Sequence, residues 1–311
     1  MVTLSGVATL GVAMADLGPD WLPGVGAVIV STSYTWAICA RTGGRPVVYS
    51  LLALVLGVTA IGLDREFLRG GAAVCMSVLA AVLAVISTVP AAKFSSVVRE
   101  VGVASLLAGG GALAVVGFEP HVALQRFEYT TFGVGVLLCL GLVFRLGAGL
   151  HGLGRRGLAI VVVGSVLLAV ALVYAETLRH YGSPALVEAI DDARHWSHDT
   201  LGATPRPLQF VLGIPALAWG VHMRARRRQG WWVCAYGTAG TVSIANTLVR
   251  PRHSLIEAGL TDVYSVLLGL VIGYVVIRLD LALTGPRGSR ARRAEEARAI
   301  RPEPRRTSAL L

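Results

Sequence analysis

About ten apolar stretches fill this 311-residue chain, and the arginines between them fall mostly in alternate gaps. In nearly every window of roughly 15–20 residues there is too little polarity to keep a solvated face, which is the signature of membrane-spanning helices. The bilayer core has no water to satisfy a backbone, so each such stretch closes its hydrogen bonds internally as a helix. The expected fold is therefore all-α: a polytopic integral membrane helical bundle.

Composition agrees with that reading. Hydrophobic residues make up 54% of the chain, charged residues only 15%, and the mean hydropathy is +0.67. A net charge of +10 would suit nucleic acid, but the charge is concentrated after Arg278 and in Arg224, Arg226, Arg227 and Arg228. Basic residues there retain loops on the cytoplasmic side, so no nucleic-acid partner is expected. Lys93 is the lone lysine, and the Arg, Ala, Gly and Val richness matches the codon bias of a GC-rich bacterial genome. Cys39, Cys75, Cys139 and Cys234 all fall within apolar stretches and form no C-x-x-C pair, so neither a disulfide framework nor a thiolate metal site is indicated. No cofactor is expected.

The spans read near 3–16, 22–40, 46–63, 71–89, 101–118, 131–149, 157–175, 208–223, 231–249 and 263–280. Arg41 and Arg45, Lys93 and Arg99, Arg155 and Arg156, the Arg224–Arg228 cluster and the C-terminal arginines follow alternate spans. Roughly twenty basic residues on that side against about eight on the other place both termini in the cytoplasm of a multi-pass bacterial cytoplasmic membrane protein. The first span is short, and Ala13-Met14-Ala15 before Asp16 resembles a signal-peptidase site that no basic residue precedes. A cleaved signal would leave nine spans. Residues 1–283 form the expected bundle, and 284–311 a solvated, disordered basic tail that anchors topology or docks a protein partner.

Inside the spans, polarity gathers in two places. The second carries Ser31, Thr32, Ser33, Tyr34 and Thr35; the ninth sets Ser243, Asn246, Thr247 and Arg250 on one face. A buried Asn needs a partner, so these helices should face the bundle interior or a hydrated cavity. Pro215 should kink the eighth span, and Gly269 and Gly273 form a G-x-x-x-G pair in the tenth. Trp36 precedes Arg41 by the same spacing as Trp219 precedes Arg224, an echo that ordinary interfacial aromatic residues also produce.

The longest hydrophilic interruption, 176–209, holds an amphipathic helix near 184–201, started by Ser183-Pro184 and stopped by Gly202. It should lie on the outer membrane surface. On it Asp191, His195, His198 and Asp199 recur at helical spacing, a candidate metal or acid–base set that a plain solvated face also explains. After the ninth span, Arg250, Arg252 and His253 are candidates for holding a phosphate of a lipid-linked substrate.

Tyr34, Asn246, Thr247, Arg250, Arg252 and His253 are thus the substrate candidates for a cavity between the second, eighth and ninth spans. The expected partners are the lipid bilayer and a lipid-linked or small-molecule substrate. The leading expectation is a transport-type or lipid-handling membrane protein. An accessory or scaffold subunit, and a membrane enzyme with an extracytoplasmic His/Asp site, remain as alternatives.

Overall fold

The computed structural model describes residues 2–15, 17–145, 158–159, 162–170, 184–226, 230–250, 254–284 and 303–310. Among them the chain is all-helical. The helices are α1 (Val2–Met14), α2 (Leu22–Arg41), α3 (Pro46–Gly62), α4 (Glu66–Ile86), α5 (Phe94–Gly117), α6 (Leu124–Val143) and α7 (Pro184–Leu201). A π-helical turn, Leu208–Gly213, then runs into α8 (Ile214–Arg224). The chain continues through α9 (Gly230–Tyr236), α10 (Thr238–Leu248) and α11 (Leu255–Thr284).

Among the described residues five helices, α2, α4, α5, α6 and α11, are long and apolar enough to cross a membrane; α1 and α3 are apolar but shorter. Two expected spans are broken rather than absent. Pro215 lacks the N–H that would bond the Val211 carbonyl, and the helix widens to a π turn just before it. The ninth stretch breaks at Gly237, whose amide turns back to the Cys234 carbonyl at 2.8 Å before α10 resumes.

Burial is inverted relative to a water-soluble protein. Leu51, Leu52, Val55 and Leu56 on α3 and Leu267, Val271 and Val275 on α11 are exposed. Meanwhile Glu100, Arg224, Gln209, Thr241 and Asn246 are buried. Water would reverse that distribution, whereas hydrocarbon favours apolar side chains outside and polar ones against each other.

Glycines set the closest helix contacts. A Cβ at Gly213 would overlap the Gly240 backbone, so the π turn crosses α10 with no side chain between them. The G-x-x-x-G pair is a real contact: Gly269 meets Ile214 and Gly273 meets Ala218, seating α11 on α8. In the 109–111 run, Gly111 lies against Ala80 and Gly110 against the Tyr34 hydroxyl, while Gly109 meets nothing within 4 Å.

Several helices begin before the apolar stretches do. The stretches expected from 101, 131 and 263 onward fall in helices that have already started at Phe94, Leu124 and Leu255. Each of these helices thereby includes charged residues among its first turns, notably Glu100, Glu128, Glu257 and Asp262. Residues 303–310, expected in a solvated tail, instead pack at the end of the bundle where α2 and α8 finish. The expectations for Asp16, Glu176, His180, Ser183 and residues 285–302 fall outside the described residues.

Candidate functional site

The π turn, α6, α10 and the start of α11 enclose one concentration of polar side chains. Glu128, on the second turn of α6, is its centre. Its Oε1 accepts from Arg206 Nη2 at 2.6 Å and from Arg250 Nη2 at 2.8 Å. Arg206 precedes the π turn, and its Nη1 also donates to the Ser243 carbonyl at 3.0 Å and to Thr247 Oγ1 at 3.3 Å. Its own amide donates to Ser265 Oγ on α11 at 2.8 Å. One arginine therefore ties three helices together.

Burial draws the Arg206 guanidinium below its ordinary pKa, and the Glu128 carboxylate opposes that shift by favouring the charged form. Arg250 stands nearer the opening, with its side chain 37% exposed against 16% for Arg206. Asp262 lies beyond Arg206, facing Gln209 and Thr247. Among the described residues Asp262 has no ion pair. Neither polar atom of the buried Gln209 amide, nor Oδ1 of Asp262, nor Nε of Arg250 makes a hydrogen bond of good geometry. Asn246 accepts from Thr131 Oγ1 at 3.2 Å through Oδ1, while its Nδ2 is unpartnered. Buried polar atoms left unpaired cost about 1–3 kcal/mol each, so a group of them around two guanidinium groups is a natural place for a polar ligand.

The structure brings together three of the sequence candidates, Asn246, Thr247 and Arg250. Arg252 and His253 lie outside the described residues. Tyr34 belongs elsewhere: its hydroxyl donates to the Leu107 carbonyl of α5 at 2.7 Å. Helices α4 and α5 pack on both α2 and α10, so α2 does not border the polar cluster. Three other hydroxyls of α2 are turned back on their own helix: Ser31, Ser33 and Thr35 donate to the carbonyls of Val28, Ile29 and Ser31, while the buried Thr32 hydroxyl makes no hydrogen bond among the described residues. A cavity between the second, eighth and ninth stretches is replaced by a polar cluster in which α6 and α11 take the place of α2.

Helix α7 follows its expected bounds, and Gly202 stops it at φ +72° with its amide bonded to the His198 carbonyl at 2.9 Å. Its candidate ligands do not converge. Asp191, His195, His198 and Asp199 are all exposed. Asp191 pairs with Arg194 at 3.5 Å, and His198 Nδ1 faces Glu257 at 3.7 Å. Among the described residues no group of three His, Cys, Asp or Glu side chains is arranged to hold a metal ion.

Sequence reasoning missed Glu128, Arg206, Gln209 and Asp262. Glu128 and Asp262 sit just ahead of an apolar stretch, where they read as loop charges. Their one available signal was that Glu128 is a lone acid between apolar and aromatic neighbours, in Arg126-Phe127-Glu128-Tyr129. Comparison with known protein families, with curated proteins and with solved structures finds no match to this chain.

Proposed function

We propose that this chain is a transport-type or lipid-handling membrane protein that takes a phosphate-bearing group at Arg206 and Arg250. The observation that carries the reading is two guanidinium groups converging on a single carboxylate oxygen inside an apolar helical bundle. A guanidinium offers five N–H donors in a fork matched to carboxylate or phosphate. Arg250 has Nε unpartnered, so donor capacity exceeds what Glu128 uses. Glu128 holds the two cations together and occupies the position an incoming anion would share.

The site is at the end of the bundle opposite Arg41, Lys93, Arg99 and Arg224. Arg41 and Arg224 bond the same C-terminal segment, which supports grouping their gaps on one side. On the positive-inside rule that side is cytoplasmic, with both termini there and about ten crossings of a bacterial cytoplasmic membrane. The Glu128 site then opens toward the outer face.

Reconstitution tests the reading. Liposomes carrying the wild-type chain are expected to move a headgroup-labelled anionic phospholipid between leaflets faster than protein-free vesicles. Arg250→Ala should lose that acceleration while its thermal unfolding stays near that of the wild type. A wild-type chain no faster than empty vesicles contradicts the proposal.

A further inference from the structure

At the opposite end of the bundle lies a second set of buried arginines, closed by the chain's own terminus. Arg224, the last residue of α8, is 1% exposed, and Arg41, the last of α2, is 2% exposed. Arg224 Nη1 donates to Thr88 Oγ1 at 2.7 Å, and Nη2 donates to the Thr88 carbonyl at 3.1 Å and to Glu303 Oε2 at 2.5 Å. The Trp231 ring covers its other face at 3.4 Å. Arg41 Nε donates to the Ile86 carbonyl at 3.2 Å, while Nη1 donates to the carbonyls of Arg305 and Ser308, both at 2.6 Å. The Leu310 amide returns a bond to the Arg41 carbonyl at 2.8 Å. Arg306 places Nη2 on both oxygens of the fully buried Glu100, at 2.8 and 3.0 Å.

Every acceptor that residues 303–310 offer to these arginines is one carboxylate or a peptide carbonyl. That is a partial match. Arg41 Nη2 and Arg224 Nε are buried donors with no partner even with the segment in place. If the segment left, Arg224 would lose the one carboxylate it meets among the described residues, and Arg41 Nη1 the carbonyls of Arg305 and Ser308. Glu100 would keep the Val89 amide and the more exposed Arg99. The vacated pocket would then present two buried guanidinium groups on a floor set by Thr88. An anion with three or more oxygens can meet those donors together, which a single carboxylate does not.

We propose that Arg41, Arg224 and Thr88 form a second anion site, specific for phosphate or pyrophosphate, and that the C-terminal segment is its tethered occupant with Glu303 standing in for the ligand. Two sources supply this chemistry, a soluble phosphate compound and the headgroup of an anionic lipid. This site is separate from the Glu128 cluster and does not depend on its function.

Hydrogen exchange of residues 303–310 in the full-length purified protein tests it. Without added anion the Leu310 amide should be protected. Inorganic pyrophosphate should speed exchange of this segment saturably, while sodium chloride of matched ionic strength should not. Nanodiscs with phosphatidylglycerol, against phosphatidylcholine alone, report the lipid source; release by either probe supports the site and identifies its ligand. Glu303→Gln weakens the competitor, and since a segment closing the site nine-tenths of the time taxes the ligand about tenfold, the pyrophosphate midpoint should fall by up to that factor. Arg41→Gln should abolish the pyrophosphate effect. Protection unchanged by both probes, or a Glu303→Gln midpoint equal to wild type, overturns the proposal, even if Arg41→Gln does not fold.

Discussion

Replacing Glu128 by alanine is expected to destabilise the folded chain by about 3 kcal/mol, the lower end for breaking a buried ion pair because Arg250 is partly exposed. The loss arises from what is left behind. Arg206 and Arg250 would face each other in an apolar surround without the oxygen both now share. Thermal unfolding in detergent would show a clear drop, and Glu128→Gln, which keeps an acceptor but not the charge, should fall between. Removing the whole network should behave differently. A variant carrying Glu128→Met, Arg206→Met, Arg250→Met and Asp262→Asn leaves no unpaired charge, so its stability should return toward wild type. The contrast separates purpose from scaffolding: if the cluster exists to bind an anion, the quadruple variant folds and loses the binding that Arg206 and Arg250 provide.

The second large effect belongs to the crossing below that cluster. Gly213→Ala is expected to cost about 3 kcal/mol or more, or to prevent recovery of folded protein, because the added methyl would coincide with the Gly240 backbone rather than a flexible side chain. Two helix backbones would have to separate, and Arg206, on the same segment just before the π turn, would be drawn from Ser243 and Thr247. Gly109→Ala provides the control. It meets nothing within 4 Å, so its effect should stay within about 0.5 kcal/mol. Equal yields and unfolding temperatures for the two variants would contradict the close crossing.

How far the sequence carried depends on which force set each feature. Apolarity is a local property, so the helical class, the membrane character, the Pro215 distortion and the bounds of α7 were legible. The face Ser243, Asn246, Thr247 and Arg250 was legible too, because helical spacing alone places those residues together. What lay beyond reach was pairing across distance. Glu128 and Arg206 are 78 residues apart, and Arg224 and Glu303 are 79 apart. Read singly, each of these charges marks a loop or a tail. Neutralised by its partner, each can enter a helix end or a buried pocket, as Glu100 does with Arg306 in α5 and Glu128 with Arg206 in α6, both ahead of their apolar stretches. Tyr34 shows the converse. Its polarity within a span suggested a cavity, yet one carbonyl of α5 satisfies its hydroxyl.

The central claim is that Arg206 and Arg250 form an anion site, and equilibrium binding of farnesyl pyrophosphate to the purified chain tests it most directly. Saturable binding is predicted for the wild type, with farnesol, its uncharged counterpart, failing to compete. Affinity should fall at least about tenfold in Arg250→Gln, as the loss of one charge-assisted hydrogen bond worth about 1.5–3 kcal/mol implies. Equal binding by wild type and the quadruple network variant, or no saturable binding by the wild type, would contradict it.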